Sequence, residues 1–294
     1  MSNVMPHWSV SMLNDSANNL SAQLSSEFQK KLLAASIKSL EETSNPLSFN
    51  NFCAGYRELV RHVLSDLAPD AEIKACTWYV PDTTSRTGIT RAHAITYVLQ
   101  GGLPSDYVTG TLEIDVLEEK KELISAINKL NKYTHVNEGT FGIDASRASA
   151  EAALAIDSLS NVLGLANDCR AQLARALEAQ IHDEVVALAI SETIGAIDEL
   201  ATHHCVDEID VEEVTVTKVG SEFIHLRASG TIGVELQWGS NSDLRRGEGA
   251  TGNDSFPFSC ELQSHVEDPA ELETIEDTLC VDTSSWWDGY YDEA

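Results

Sequence analysis

The chain has 294 residues, of which 43% are hydrophobic and 22% charged, with 7 Pro and 17 Gly. This composition excludes wholesale disorder, a collagen-like repeat and a disulfide-packed miniprotein, and it supplies enough apolar mass for real cores. No run of about 18 apolar residues is present, so no membrane span is predicted. Six scattered Cys without a CxxC pair, and a polar N-terminus without a signal segment, predict a cytoplasmic protein with reduced thiols.

The formal net charge of −28 is unevenly distributed. Residues 1–143 hold 12 Lys and Arg against 16 Asp and Glu, whereas residues 144–294 hold 7 against 31. Because acidic surfaces repel phosphate backbones, we expect a nucleic-acid substrate to bind only the N-terminal half. Residues 267–294, with ten acids and no base, are the segment expected to bind a basic partner protein.

The N-terminal quarter predicts two helices after an irregular start. Residues 1–22 are polar and weakly periodic, and we interpret them as a flexible arm. A helix is predicted from Ser25 to Thr43. The clearest helical periodicity follows over Phe49–Leu67, where Ser48 or one of the two Asn just after it is the expected N-cap and Pro69 ends the helix.

Residues 72–80 predict a short strand or an extended connector before helical periodicity returns. The later helices are predicted from Thr90 to Leu99, from Ser105 over a short stretch, from an Asp115/Glu118 capping box to about His135, and over Asp144–His203 with a division at Gly164.

Beyond His203 the pattern changes to strict alternation, which predicts antiparallel strands. The strands are expected over residues 211–219, 222–228, 231–238 and 255–264, with turns at Gly220-Ser221 and Ser229-Gly230. The predicted fold class is α+β. The expected parts are an arm over 1–22, a helical domain over 23–203, a small β-meander or sandwich-like module over 204–266, and an acidic aromatic tail over 267–294.

The helix Phe49–Leu67 carries Arg57 and His62, which match the R-x4-6-H pattern of HEPN-type ribonucleases. Positions i and i+5 lie roughly 140° apart on a regular helix. Arg57 and Arg61, in contrast, share one face. The alternatives are a catalytic Arg–His pair and a solvated basic face.

A second set of polar residues lines up on the helix that ends near His135. Asn128, Asn131 and His135 have helical spacing, with Lys132 and Tyr133 nearby. A half-buried His beside two amides suits acid–base chemistry. The alternative is a buried hydrogen-bond cluster that fixes helix packing.

Three shorter motifs leave the metal unknown. Asp70, Glu72 and Lys74 match the PD-(D/E)xK nuclease core only in part, because its first acid should lie well upstream. Residues 90–93 (TRAH) open a helix and suit a phosphate, or are simply exposed. Residues 203–205 (HHC) lack a second ligand pair. The cofactor is therefore unknown: none, or Mg²⁺ if the activity is that of a metal-dependent nuclease.

The chain ends in an acidic segment that contains four aromatic residues. In residues 286–293 (WWDGYYDE) the aromatic side chains either fold back onto the protein or bind a partner surface.

Several segments together resemble one bacterial family. They are Tyr56–Leu59, Leu67–Asp70, Thr90-Arg91 with Gln100–Leu103, and Leu130–Val136. Over roughly residues 45–165 the chain resembles the predicted pPIWI-associating nucleases of prokaryotic conflict systems, and its β-module resembles an appendage of other conflict-system proteins. The resemblance implies a nuclease effector of anti-phage defence that acts on RNA or DNA phosphodiesters.

Two hypotheses follow. In the first, the helix faces that bear Arg57/Arg61 and Asn131/His135 converge on one cleft, where His135 is the acid–base group and the arginines, with Arg91, neutralise phosphate. In the second, the chain is a non-enzymatic adaptor that binds a basic partner of the same operon through its acidic half. Under either hypothesis we expect an oligomer or a subunit of a complex.

Overall fold

The computed structural model describes residues 7–191 and 194–287. The chain divides into two compact units, Met1–Cys169 and Arg170–Ala294. Helices come first and an antiparallel sheet second, which confirms the predicted α+β class. The change from helices to strands falls at His203, whereas the boundary between the compact units falls earlier, inside a long helix.

The N-terminal unit is built from helices, the last of which ends in the second unit. Its helices are α1 His7–Gln23, α2 Glu27–Glu41, α3 Ser48–Leu67, α4 Asp70–Ala75, α5 Arg91–Gln100, α6 Ser105–Gly110, α7 Leu117–Tyr133 and α8 Ala145–Ala176.

Helix α1 corrects the expectation of a flexible arm. Leu13, Ala17 and Leu20 recur at helical spacing and are buried, so residues 7–22 are helical and the helix packs through these three side chains. They are spread among Ser and Asn residues, which explains why the periodicity of this segment is weak. Residues 1–6 of the expected arm lie outside the described residues.

Helix α3 confirms the strongest of the predicted helices. Its buried apolar residues are Phe49, Phe52, Cys53, Tyr56, Leu59, Val60, Val63 and Leu64. The Tyr56 hydroxyl donates a hydrogen bond of 2.8 Å to the carbonyl of Ala155, and burial holds the Tyr56 pKa well above its usual range. The solvent-facing side chains of α3 are therefore carried by a helix whose opposite face is firmly packed.

The N-cap expected for α3 is wrong. The N-cap residue is Leu47, without a side-chain cap. The buried Asn50 amide instead donates hydrogen bonds to the carbonyls of Tyr133 and Thr140, at 2.7 and 3.2 Å. Asn50 thus ties α3 to the end of α7 and the loop after it.

Three further local predictions fail for identifiable reasons. The short strand or extended connector expected over 72–80 does not begin at 72: residues 70–75 form α4, because acids in the first turn and Lys74 in the last favour a helix after Pro69, and residues 76–80 are an irregular connector. Helix α8 continues through Gly164, where the Ala-rich sequence outweighs a glycine cost of about 1 kcal/mol. At α7 the Asp115 carboxylate accepts only from the Leu117 amide, so the capping box is incomplete.

The second unit surrounds a meander sheet. Its elements are α9 Glu178–Ser191, α10 Gly195–Asp198, β1 His203–Val219, β2 Phe223–Trp238, α11 Asn241–Arg246, β3 Ala250–His265, β4 Asp268–Thr274, β5 Cys280–Val281 and a 3₁₀ turn Ser284–Trp287. The strand order is β1-β2-β3-β4, all antiparallel, and β5 pairs with β3. Alternate residues of β2 and β3 are buried, and α9 packs against β1 and β4.

Strand β2 runs without a break through Ser229-Gly230, where a turn was expected. Gly230 pairs with Val211, next to a β-bulge in β1. A Cβ atom at this position would collide with the Asp210 carbonyl, so the glycine allows close approach of the two backbones.

Much of the expected acidic tail belongs to the sheet. Strands β4 and β5 fall inside residues 267–294. The Trp286 ring stacks on Trp238 with ring centroids 6.0 Å apart, and the Trp238 indole donates to the Leu200 carbonyl. The aromatic residues Tyr290 and Tyr291 lie outside the described residues.

Candidate functional site

A groove of about 170 Å³ lies in the N-terminal unit, lined by side chains of α3, α5 and α7, by Ala68 after α3 and by Asp70 at the start of α4. Apolar side chains form its base: Val60, Leu64, Ala68, Ala94 and Ile127. Polar side chains that reach solvent form its rim: Arg57, Arg61, Ser65, Asp70, Thr90 and Arg91. Three guanidinium groups thus surround a small space with an apolar base.

The helical repeat explains why two of the arginines meet. Arg57 and Arg61 are four residues apart on α3, beside the buried stripe that contains Val60 and Leu64. The expectation that they share one face is confirmed. The packing of α3 therefore places both side chains at the rim.

The third arginine arrives at the start of α5. The Thr90 hydroxyl accepts a hydrogen bond from the His93 amide, and the His93 ring nitrogen Nδ1 accepts one from the Thr90 amide, at 3.4 and 3.2 Å. This reciprocal cap confirms Thr90 as the N-cap and starts the helix at Arg91. Thr90 and Arg91 both line the groove.

Ion pairs position two of the three guanidinium groups. Arg61 donates to the Glu58 carboxylate at 2.8 Å and to the His62 ring at 2.9 Å. The hydrogen bond from Arg61 lowers the Glu58 pKa, and the charge of Arg57, whose guanidinium lies 3.9 Å away, adds to this effect. Within the described part of the chain, Arg91 has no ion-pair partner.

The groove is suited to an anion. The first-turn amides of α5 have no partner inside the helix, and the helix dipole places partial positive charge there. Three guanidinium groups against the carboxylates of Asp70 and Glu58 leave the local charge positive. Guanidinium forks match the oxygens of a phosphate.

The structure brings together only some of the predicted site residues. Arg57 and Arg91 meet at the groove, but Asn131 and His135 do not line it. Helix α7 contributes Ile127 and ends at Tyr133, and His135 lies eight residues beyond Ile127, a helical rise of about 12 Å. The single cleft expected for the arginines and His135 is therefore not formed.

His135 and Asn131, which do not line the groove, lie in different environments. The His135 side chain is exposed in the loop after α7. The Asn131 side-chain oxygen is buried and has no hydrogen-bond partner among the described residues. Neither arrangement supports the converging acid–base site expected from the spacing.

The other sequence motifs also find definite positions. His62 contacts Arg61 but does not line the groove, in line with its angular separation from Arg57 on α3. The Glu72 carboxylate accepts a hydrogen bond of 3.0 Å from Tyr97, on a helix rather than on the strand that a PD-(D/E)xK core needs. Among residues 7–191 and 194–287, no group of three His, Cys, Asp or Glu is placed to hold a metal ion.

Sequence reasoning missed a polar cluster behind the start of α5. The Lys120 ammonium donates to the Thr96 hydroxyl at 2.6 Å, and burial lowers the Lys120 pKa. Burial also lowers the His93 pKa, helped by the Lys120 charge and opposed by Asp82. The Tyr79 ring packs edge-on against His93. The one sequence signal for this polar cluster is a His three residues after an N-cap Thr, where Glu or Gln is usual.

A second, larger groove lies in the C-terminal unit. It has a volume of about 1010 Å³ and is lined by the end of α8, by α9 and by β1. Its charged residues are mostly acidic: Glu178, Asp183, Asp210 and Glu212, with Arg175 and His182.

The matches to known protein families divide the chain close to the boundary between its two compact units. Two family models match, both described as predicted pPIWI-associating nuclease, one over residues 21–159 and the other over residues 166–287. These matches extend beyond residues 45–165 and include the β-module. No curated protein and no solved structure matches the chain. Among the described helices, none has the length and apolarity needed to cross a bilayer.

Proposed function

Because the chain belongs to the predicted pPIWI-associating nucleases, we propose that it cleaves nucleic-acid phosphodiesters with the phosphate held by Arg57, Arg61 and Arg91. The observation that carries this proposal is the meeting of three arginines from two helices in one groove. They come together in a unit that is acidic as a whole, so their clustering is a local feature and not a consequence of bulk charge.

The groove provides what phosphodiester cleavage requires. The guanidinium groups would stabilise the extra negative charge that develops on the phosphate oxygens as an attacking oxygen bonds to phosphorus and the bond to the leaving oxygen breaks. Asp70 is the carboxylate that lines the groove, and we assign it the role of general base for the proton of the attacking oxygen. His135 has no part in this assignment, because it does not line the groove.

The family description also names an association, with a pPIWI protein. We extend this association to the present chain and propose that it acts as an effector in a prokaryotic conflict or anti-phage system, in the cytoplasm. Copurification of the chain with a PIWI protein encoded next to it tests this part independently of the groove.

The test of the proposed function is cleavage of end-labelled RNA and DNA, each single-stranded and duplex, with and without Mg²⁺. The double variant Arg57→Gln/Arg91→Gln is compared with Arg86→Gln/Arg245→Gln, which has the same change in charge at exposed arginines outside the groove. We expect the first to lose at least about 100-fold in cleavage and the second to match wild type. Equal cleavage by the two variants would refute the proposal.

Substitution of Asp70 distinguishes the binding of nucleic acid from its cleavage. Asp70→Asn should lower kcat by about 100-fold or more, while oligonucleotide binding stays the same or tightens because a negative charge leaves the groove. His135→Ala should cleave like wild type. A loss of cleavage in His135→Ala with Asp70→Asn active would transfer the acid–base role back to the imidazole.

The acidic groove of the second unit favours a second candidate function, that of an adaptor for a basic partner protein. Reversal of charge in Asp210→Lys/Glu212→Lys would then abolish partner binding. Removal of residues 267–294 is a poor test, because it also removes β4 and β5. Removal of 288–294 leaves all the strands in place and tests the end of the chain alone.

A further inference from the structure

Phe28 has an exposed aromatic side chain. It stands near the start of α2, in the same helix as the buried Leu33 and Leu40, yet 56% of its surface is open to solvent. Its ring packs edge-on against His62, with ring centroids 5.1 Å apart and planes at 81°. An exposed aromatic pair of this kind offers a ring face to a ligand.

The aromatic pair is connected to the arginine groove. The His62 ring accepts a hydrogen bond of 2.9 Å from Arg61, and Arg61 lines the groove. Direct contacts thus connect the groove through Arg61 and His62 to Phe28. An exposed aromatic ring therefore lies two side-chain contacts away from the anion site.

The groove itself is small. Its volume of about 170 Å³ is below the range of about 300–1,000 Å³ typical of pockets that enclose a drug-sized ligand. Contacts to phosphate position a nucleic acid without reading its sequence. With a phosphate held at the arginines, a neighbouring base is left to make its contacts beside the groove.

We propose that this surface binds single-stranded nucleic acid, with a phosphate in the groove and the neighbouring base stacked on Phe28, whose ring packs edge-on against His62. The proposal rests on the proposed function and deepens it by naming the substrate class. In a duplex the base faces are covered by their neighbours, so only an unpaired strand can stack on a protein ring. Stacking tolerates every base, so the surface selects for strand state and not for sequence.

Fluorescence anisotropy with labelled oligonucleotides of mixed sequence tests the proposal. Single-stranded RNA, single-stranded DNA and the matching duplexes are titrated with the full chain at low salt. Variant Phe28→Ala is compared with Phe28→Trp, which keeps a ring for stacking, and with Phe141→Ala, which removes an equally exposed ring (51%) that makes no contact with His62. The fold of each variant is checked by its thermal transition.

Tighter binding of at least one single strand than of its duplex is the expected result. Phe28→Ala should weaken that binding by about 5- to 100-fold, whereas Phe28→Trp and Phe141→Ala should retain it. A 2-aminopurine base in the bound strand should be quenched by wild type and not by Phe28→Ala. A preference for RNA or for DNA identifies the strand, and either preference agrees with the proposal.

Equal affinity for duplex and single strand, or equal binding by Phe28→Ala and Phe141→Ala, overturns the proposal. These results are distinguishable from failure of the proposed function. If Arg57→Gln/Arg91→Gln abolishes binding while Phe28→Ala does not, the phosphate site stands and the stacking platform is wrong. If Arg57→Gln/Arg91→Gln binds and cleaves like wild type, the proposed function itself fails.

Discussion

The two compact units are both acidic, but they place their basic side chains differently. Residues 1–169 contain 13 basic and 20 acidic residues, and residues 170–294 contain 6 and 27. In the first unit three arginines share one groove. In the second, Arg227 pairs with Glu261 and Arg246 with Asp243. Net charge indicates which unit can approach a phosphate, but only the tertiary arrangement of the arginines indicates where.

The largest expected effect comes from substitutions in the hydrophobic cores of the two units. Leu59 in α3 and Leu226 in β2 are both fully buried, and replacement of either by Ala should cost about 2–5 kcal/mol in the free energy of unfolding. Because α3 carries Arg57 and Arg61, Leu59→Ala should also weaken oligonucleotide binding. Leu226→Ala should leave it unchanged.

Denaturant unfolding measures the first effect, and anisotropy at a temperature where both variants are folded measures the second. If Leu226→Ala weakened binding as much as Leu59→Ala, the assignment of binding to the N-terminal unit would be wrong.

A smaller effect on binding is expected from substitution of the single side chain Arg91. Arg91 has no ion-pair partner in the described part of the chain, so its charge is available to a ligand. Arg91→Gln should weaken binding of a single strand by about tenfold at low salt and reduce the slope of log affinity against log salt by about 0.7.

The matched control is Arg245→Gln in α11 of the second unit, also exposed. It should change neither the affinity nor the slope. An identical salt dependence for wild type and Arg91→Gln would show that this arginine does not meet a phosphate.

The smallest effect concerns pH and the start of α5. Burial lowers the His93 pKa below its usual value near 6.5, so the neutral ring, which accepts from the Thr90 amide, is favoured in the folded state. The unfolded chain then binds more protons as the pH falls through about 6.5, and stability present above that pH is lost below it.

His93→Gln keeps an acceptor for the cap and does not titrate. Relative to this variant, wild type should lose thermal stability between about pH 7.5 and pH 5, by no more than the worth of a helix cap, about 1 kcal/mol. The control is the exposed His135→Gln, which should follow wild type. Parallel pH profiles of wild type and His93→Gln would show that protonation of His93 is not coupled to folding.

The sequence predicts the elements with dense apolar periodicity and misses those in which packing decides. Helix α3 has eight buried apolar positions and is recognised from its sequence. In α1 the buried Leu13, Ala17 and Leu20 are spread among Ser and Asn residues, and the helix is missed. A turn at Ser229-Gly230 is expected from the turn propensity of these two residues. Pairing with the bulged strand β1 instead keeps β2 continuous.

The candidate site was predictable only along single helices. The shared face of Arg57 and Arg61 follows from the helical repeat. The approach of Arg91 depends on how α5 packs against α3, and no spacing within the sequence encodes it. His135 was assigned to the site because α7 was expected to continue to it, whereas the helix ends at Tyr133.

Hydrogen exchange with and without a saturating single-stranded oligonucleotide tests the central claim most directly. We expect slower exchange of amides in α3 and in the first turn of α5, which brings Arg91 to the groove, with no change in β1–β5. Protection confined to the strands of the second unit, with α3 and α5 unaffected, would contradict it.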